Sequence, residues 1–230
     1  MSDDKEMGLI LQQGSFKHII TPVQCTRYDL YISDALIPGD STIYNHYQVM
    51  SNAGPQDIIY LWINSPGGSL DVANTYVQHM IRCAAPIIGI IGMDCASAAT
   101  YIALNCTEWE LNSMSTFLIH GFSYGTYGKA SDVHDSVMFN SKLNERFVRE
   151  VYDGLLSSEE ITDVLRGRDI LLDSEELSKR LPLYLEYAEL KQEAKEMEQQ
   201  LEATKLLADA IESATVKQKT PRKKKQLDTK

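Results

Sequence analysis

The sequence lacks paired cysteines. Its four, Cys25, Cys83, Cys95 and Cys106, show no C-x-x-C spacing, which argues against a zinc site or a disulfide framework and fits a reducing, cytoplasmic compartment. Long hydrophobic runs are also missing: the longest uncharged apolar stretch, Ala84 to Met93, is about half what a membrane-spanning helix needs. The N-terminus, MSDDKEMG, is acidic where a signal or transit peptide would be basic. Histidines are few and scattered. His18, His46, His79, His120 and His134 form no H-x-x-x-H metal pair, so no metal or organic cofactor is indicated.

What is present suits one globular domain with an appendage. The chain has 230 residues, 43% hydrophobic and 23% charged, enough to bury a sizeable core and too apolar for disorder. Its 22 Lys+Arg against 32 Asp+Glu leave a net charge of −10, which disfavours nucleic acid as the main partner. That total hides an asymmetry. Residues 215–230 hold seven Lys/Arg and one Asp, +6, so the preceding 214 residues carry −16. The basic tail is read as a disordered, solubilising segment or as a contact for nucleic acid, an acidic membrane or an acidic partner.

Periodicity places the elements. Residues 1–24 show no sustained period and are expected to form an adaptable N-terminal segment. Strands are expected at 28–32, 57–64, 86–92 (nearly all apolar, of the type buried on both faces) and 116–120. Helices are expected at 41–52 with Ser41 as a plausible N-cap, and at 69–83, 97–104, 131–152 and 158–166. Strands alternating with helices imply an α/β domain. After Pro182, residues Tyr187, Leu190, Ala194, Met197, Leu201, Thr204, Ala208 and Ile211 alternate in steps of three and four among Glu and Lys. This is either a short coiled-coil seam or a solvated amphipathic helix.

Three segments carry candidate chemistry. In INSPGGSL, 63–70, paired glycines follow a strand, a tight turn or a place of close backbone approach. In GMDCASAATYIAL, 92–104, Ser97 lies among alanines where an apolar strand gives way to a helix. It is either an N-cap or a nucleophile beside amides that can stabilise an oxyanion. In STFLIHGF, 115–122, His120 ends an apolar strand, as a satisfied core residue or as a base. Asp169, in LRGRDILLDSEEL, is not explained by capping as Asp173 is. Beside Leu171 and Leu172 it is expected to be partly buried and to need a partner, either as a third triad member or in a salt bridge with Arg168.

Together INSPGG, CASAA, LIHGF and GRDILLDSEEL resemble ClpP, the proteolytic subunit family of the ATP-dependent Clp protease, in order and near-native spacing from about Thr26 to Leu185. The resemblance implies an α/β fold of repeated ββα units in the ClpP/crotonase-like superfamily for a protease-like domain at 26–185. Outside it the sequence reads as an N-terminal segment 1–25, a C-terminal helical extension 186–214 from its heptad spacing and the basic tail 215–230. The resemblance makes Ser97 nucleophile, His120 general base and Asp169 the residue orienting the histidine, with the backbone amides of Gly68 and Ala98 as the oxyanion hole. It further implies stacked heptameric rings joined through the helix at 131–152 and a Gly-rich strand at 122–128 along the substrate channel. Polypeptide substrates would be fed by an AAA+ unfoldase docking at Tyr60 and Trp62, with ATP used by that partner.

This chain departs from the family pattern at several points. Ala98 stands where Met is usual, Asn105 where Gly commonly ends the helix, residues 1–25 do not match the axial-loop segment, and the extension after Leu185 lies outside the pattern. Alternatives are a ClpP-like viral capsid maturation protease, a non-catalytic subunit completing a mixed ring, and, less favoured, a crotonase-type acyl-CoA enzyme.

Overall fold

The computed structural model describes residues 9–13, 16–20 and 24–219, with side chains described from 24 to 207. Parts of the N-terminal segment and residues 220–230, most of the basic tail, lie outside the described residues. The chain divides into two units, Met1–Lys179 and Arg180–Lys230.

The first unit opens with β1 (Leu9–Gln13) paired antiparallel with β2 (Phe16–Ile20), where no element was expected. Both strands are short and lack alternation, which hides them from a periodicity argument. There follow β3 (Arg27–Ile32), α1 (Ser41–Asn52), β4 (Ile58–Ser65), α2 (Leu70–Arg82), β5 (Ile87–Cys95), α3 (Ala98–Ala103) and β6 (Glu108–Leu111). Beyond them lie β7 (Phe117–Ile119), α4 (Ala130–Tyr152), α5 (Ser158–Leu165), β8 (Ile170–Leu172) and the start of α6 (Ser174–Lys219).

Strands β3-β4-β5-β6 form a parallel sheet in sequential order. Right-handed crossovers between sequential neighbours put α1, α2 and α3 on one face. The burial follows: Leu30, Ile32, Ile59, Leu61, Ile63, Ile87 and Ile91 point into a core closed by Met50, Tyr76, Val77 and Ile102. Each such side chain contributes about 1.5–3 kcal/mol over its exposed state. The opposite face keeps Tyr31 and Trp62 exposed, while Ile88 and Ile90 are only half-buried. The expectation that 86–92 is buried on both faces is therefore corrected, because a singly wound sheet covers one face only.

Caps explain the boundaries near the site. The Asp40 carboxylate, not Ser41, caps α1 by accepting from Thr42 N at 2.7 Å. Ser69 caps α2, whose first turn carries Asp71 and last turn Arg82, complementing the helix dipole. Asp173 accepts from the amides of Glu175 and Glu176, both at 2.9 Å, at the start of α6. Pro182 does not interrupt that helix: α6 is continuous around it.

Candidate active site

Ser97 sits where β5 turns into α3, with φ +55°, the one non-glycine residue at positive φ among the described residues. It occupies the N-cap position of α3, yet its side chain makes no capping hydrogen bond. Capping therefore does not account for it. Such backbone strain costs about 1–3 kcal/mol and persists only where the surroundings over-determine it.

The surroundings do so through backbone. Ser97 N–H donates to Leu118 O at 2.8 Å, and Ala96 bridges Leu118. The turn of INSPGG lies directly against it. A Cβ on Gly67 (φ +89°) would meet Ala96 O at 2.5 Å, Ser97 Cβ at 2.8 Å and Ala98 N at 2.9 Å. A Cβ on Gly68 (φ +137°) would strike the Leu36 backbone, O at 2.6 Å and N at 2.8 Å. Leu36 clamps the turn from its other side, donating to Gly67 O at 2.7 Å and accepting from Ser69 N at 2.8 Å. The Ser65 hydroxyl completes the clamp, donating to Asp34 O at 2.6 Å and accepting from Gly67 N at 3.1 Å. The N–H groups of Gly68 and Ala98 have no acceptor among the described residues.

Ser97, Ala98, Gly68 and His120 line one cleft of about 410 Å³, walled by Leu70, Phe122, Phe147 and Tyr152. Phe147 packs edge-on against Tyr101 and Tyr152. The buried Thr100 hydroxyl joins the Tyr152 hydroxyl at 2.8 Å and donates to Ser97 O at 2.7 Å. This chain of contacts ties the end of α4 to the Ser97 turn. Asn144 Oδ1 accepts from Phe122 N at 2.8 Å and holds the segment leaving His120.

His120 ends β7, half-buried, with Nδ1 2.6 Å from Gly121 O. A carbonyl oxygen only accepts, so Nδ1 carries the proton and Nε2 is left as the basic nitrogen. Asp169 is brought to the same end of the sheet. Strands β7 and β8 pair antiparallel with Ile119 opposite Ile170, so the next rung is His120 opposite Asp169. Asp169 is nevertheless exposed, and it makes no hydrogen bond or ion pair among the described residues. Its expected partial burial is corrected: β8 turns Leu172 inward and leaves Leu171 and Asp169 outside. Arg168, its expected partner, instead pairs with Asp163 at 3.2 Å.

Residues 122–128, expected as a strand, form no regular element; Ser123 through Gly128 are exposed. The segment has no neighbouring strand among the described residues with which to pair.

Tyr60 and Trp62 lie apart from this cleft, side by side on the uncovered face of β4. Trp62 stacks on Tyr31 (centroids 5.8 Å, 14°) and donates to Asp29 at 3.0 Å. Arg27 covers the Tyr60 ring at 4.0 Å and pairs with Asp29 at 2.7 Å. Hydrogen bonds from Arg27 and then Trp62 hold the Asp29 carboxyl below the usual range. The aromatic pair is thus framed by an ion pair rather than by apolar residues alone. Sequence reasoning missed that frame, as it missed the Gly121 carbonyl and the Thr100–Tyr152 link, none of which leaves a local signal. The close backbone approach expected at the paired glycines is seen at Gly67 and Gly68.

No group of three His, Cys, Asp or Glu side chains among the described residues is placed to hold a metal ion. Among those residues no helix is long and apolar enough to cross a membrane.

The parallel α/β sheet with its helices and C-terminal helix has the class of fold found in ClpP-type proteins. The family model for Clp protease matches residues 40–180, more than half of the chain, and the protein belongs to the Clp protease family. It is 33% identical over 100 residues to the ATP-dependent Clp protease proteolytic subunit 3 of Rhizobium meliloti (strain 1021), covering 42% of this chain and 51% of that protein. It is 29% identical over 127 residues to the like-named subunit of Rhizobium johnstonii, covering 54% and 65%. With that of Rhizobium etli the identity is 30% over 97 residues, covering 41% and 50%. The chain thus spans between half and just under two thirds of the length of these curated relatives.

Proposed function

We propose that the chain is a serine endopeptidase subunit that hydrolyses peptide bonds in unfolded polypeptides within a ring-shaped particle. The observation that carries this reading is the Ser97 turn: a nucleophile-type residue at positive φ, not used as a cap, beside two amides with no acceptor and a histidine whose Nε2 is basic.

The chemistry follows from those positions. Nε2 of His120 takes the Ser97 proton as Oγ attacks the peptide carbonyl, and the amides of Gly68 and Ala98 stabilise the oxyanion. The imidazolium returns the proton to the departing amine, leaving an acyl-enzyme that water hydrolyses by the same route. Gly121 O sets the tautomer. Asp169, one rung from His120, supports the imidazolium by its charge. The exposed backbone at 123–128 offers an extended substrate main-chain partners with little regard to its side chains.

Assembly is supported by α4, which leaves Met138 and Phe139 60% and 68% exposed, apolar surface that a ring-to-ring contact would cover. Docking of an AAA+ unfoldase at Tyr60 and Trp62 is proposed on the aromatic pair of the uncovered sheet face, with ATP consumed by that partner and no cofactor in this chain. The disengaged Asp169 favours a second reading, a non-catalytic subunit completing a mixed ring.

Cleavage of a fluorogenic peptide and of unfolded casein by the purified full-length chain and by Ser97→Ala separates the two. The peptidase reading expects cleavage that falls by roughly 10⁴-fold or more in the variant. Absence of cleavage by the parent, or equal cleavage by both, contradicts it.

A further inference from the structure

The second unit carries a seam that the proposed chemistry does not use. Along α6 the side chains Tyr187, Leu190, Ala194, Met197, Leu201 and Thr204 repeat at heptad a and d positions. Leu190, Met197 and Leu201 are 65%, 71% and 56% exposed. A solvated helix has no need of a seam of this period, whereas a paired helix does.

The flanking charges identify what covers it. The e positions read Lys191, Glu198, Lys205, and the g positions Glu186, Glu193, Gln200. In a parallel pair, g of one helix meets the following e of the other, which pairs Glu186 with Lys191 but sets Glu193 against Glu198, a like-charge contact repeated twice by symmetry. In an antiparallel pair, e meets e. With Leu190 opposite Leu201, Ala194 falls opposite Met197 and Tyr187 opposite Thr204, so large residues face small ones outside the Leu layers. The same register sets Lys191 opposite Glu198 on both sides of the two-fold axis and puts Glu193 opposite the neutral Gln200.

We infer that the seam over 187–204 pairs with the same seam of a second copy of this chain, antiparallel, about a two-fold axis between residues 195 and 196. Such an isologous contact uses one surface twice and requires no other partner. It links chains through the arm, independently of whether the cleft is catalytic.

Disulfide trapping in the full-length protein tests this, with exposed Cys25 replaced by serine. Leu190→Cys and Leu201→Cys chains, mixed and mildly oxidised, are expected to form a 190–201 cross-linked dimer at least tenfold faster than Leu190→Cys alone. Adding Glu198→Lys to both chains sets Lys191 against a second lysine and is expected to suppress trapping several-fold. Adding Lys191→Glu as well restores the opposite charges and the cross-link. Self-linking of Leu190→Cys at the rate of the mixture overturns the proposal in favour of a parallel pair. No cross-link, or one blind to the charge reversals, overturns self-pairing by these helices, and a different protein chain trapped at either cysteine does the same.

Discussion

The two halves of the cleft are built differently. Around Ser97 the geometry is set by backbone: a positive φ, two glycines packed against carbonyls and amides, and strand-type bonds from Leu36 and Leu118. Around His120 it rests on side chains at a sheet end, with one 2.6 Å bond to a neighbouring carbonyl and an exposed aspartate across the ladder. The Ser97 side is held by backbone contacts within one chain. The His120 side is open, with Asp169 exposed across the ladder.

The largest way to break this contrast is at Gly67. Gly67→Ala puts a Cβ where three atoms of the Ser97 turn stand and is expected to lower kcat/KM for a peptide by about 100-fold through displacement of the nucleophile alone. Thermal unfolding is expected to show a destabilisation of about 1–3 kcal/mol in the same variant. A fully active Gly67→Ala protein would mean that the turn is not rigid.

On the open side, Asp169→Asn is expected to lower kcat/KM by roughly 100-fold or less, below the ~10⁴-fold cost of removing a buried triad aspartate. An unchanged kcat/KM removes Asp169 from the site. Asp173→Asn serves as the control: it weakens the cap of α6 and leaves kcat/KM in place.

Tyr152→Phe is a smaller probe, since it removes only the hydroxyl that joins Thr100. A loss of about 1 kcal/mol in stability is expected, with kcat/KM changed less than by Gly67→Ala.

The smallest effect is a pH dependence away from the cleft. His46 is buried with Nδ1 2.9 Å from the Tyr76 hydroxyl, and burial lowers its pKa from the ordinary 6.5. The unfolded chain then takes up the proton first as pH falls. The contribution is present above pH 6.5 and lost as pH drops through the folded value. Thermal unfolding between pH 7.5 and 5.5 is expected to be less pH-dependent in His46→Gln than in the parent; equal slopes contradict this assignment.

These regions were legible in the sequence to different degrees. The segments around Ser97, Gly68, Ala98 and His120 each left a structural alternative open when read alone, and only the resemblance of four motifs in order singled these residues out; the structure sets them in one cleft. The parallel sheet and its helices were legible from the alternation of apolar runs with helical periods. The burial of Asp169 was misjudged because its exposure depends on which way the three-residue β8 turns, and so short a strand carries no readable period. Asp40 displaced Ser41 as a cap because both are good caps one residue apart, and only the hydrogen bond decides. The uncovered face of β5 follows from strand order, which lies beyond any single segment.

The central claim is that the Ser97 turn makes that one serine a nucleophile. The most direct measurement is to treat the native full-length protein with a fluorophosphonate and map the adduct by peptide mass spectrometry. The account predicts a single stoichiometric adduct on Ser97, abolished in heat-unfolded protein. An adduct on another serine, or none on a folded protein, contradicts it.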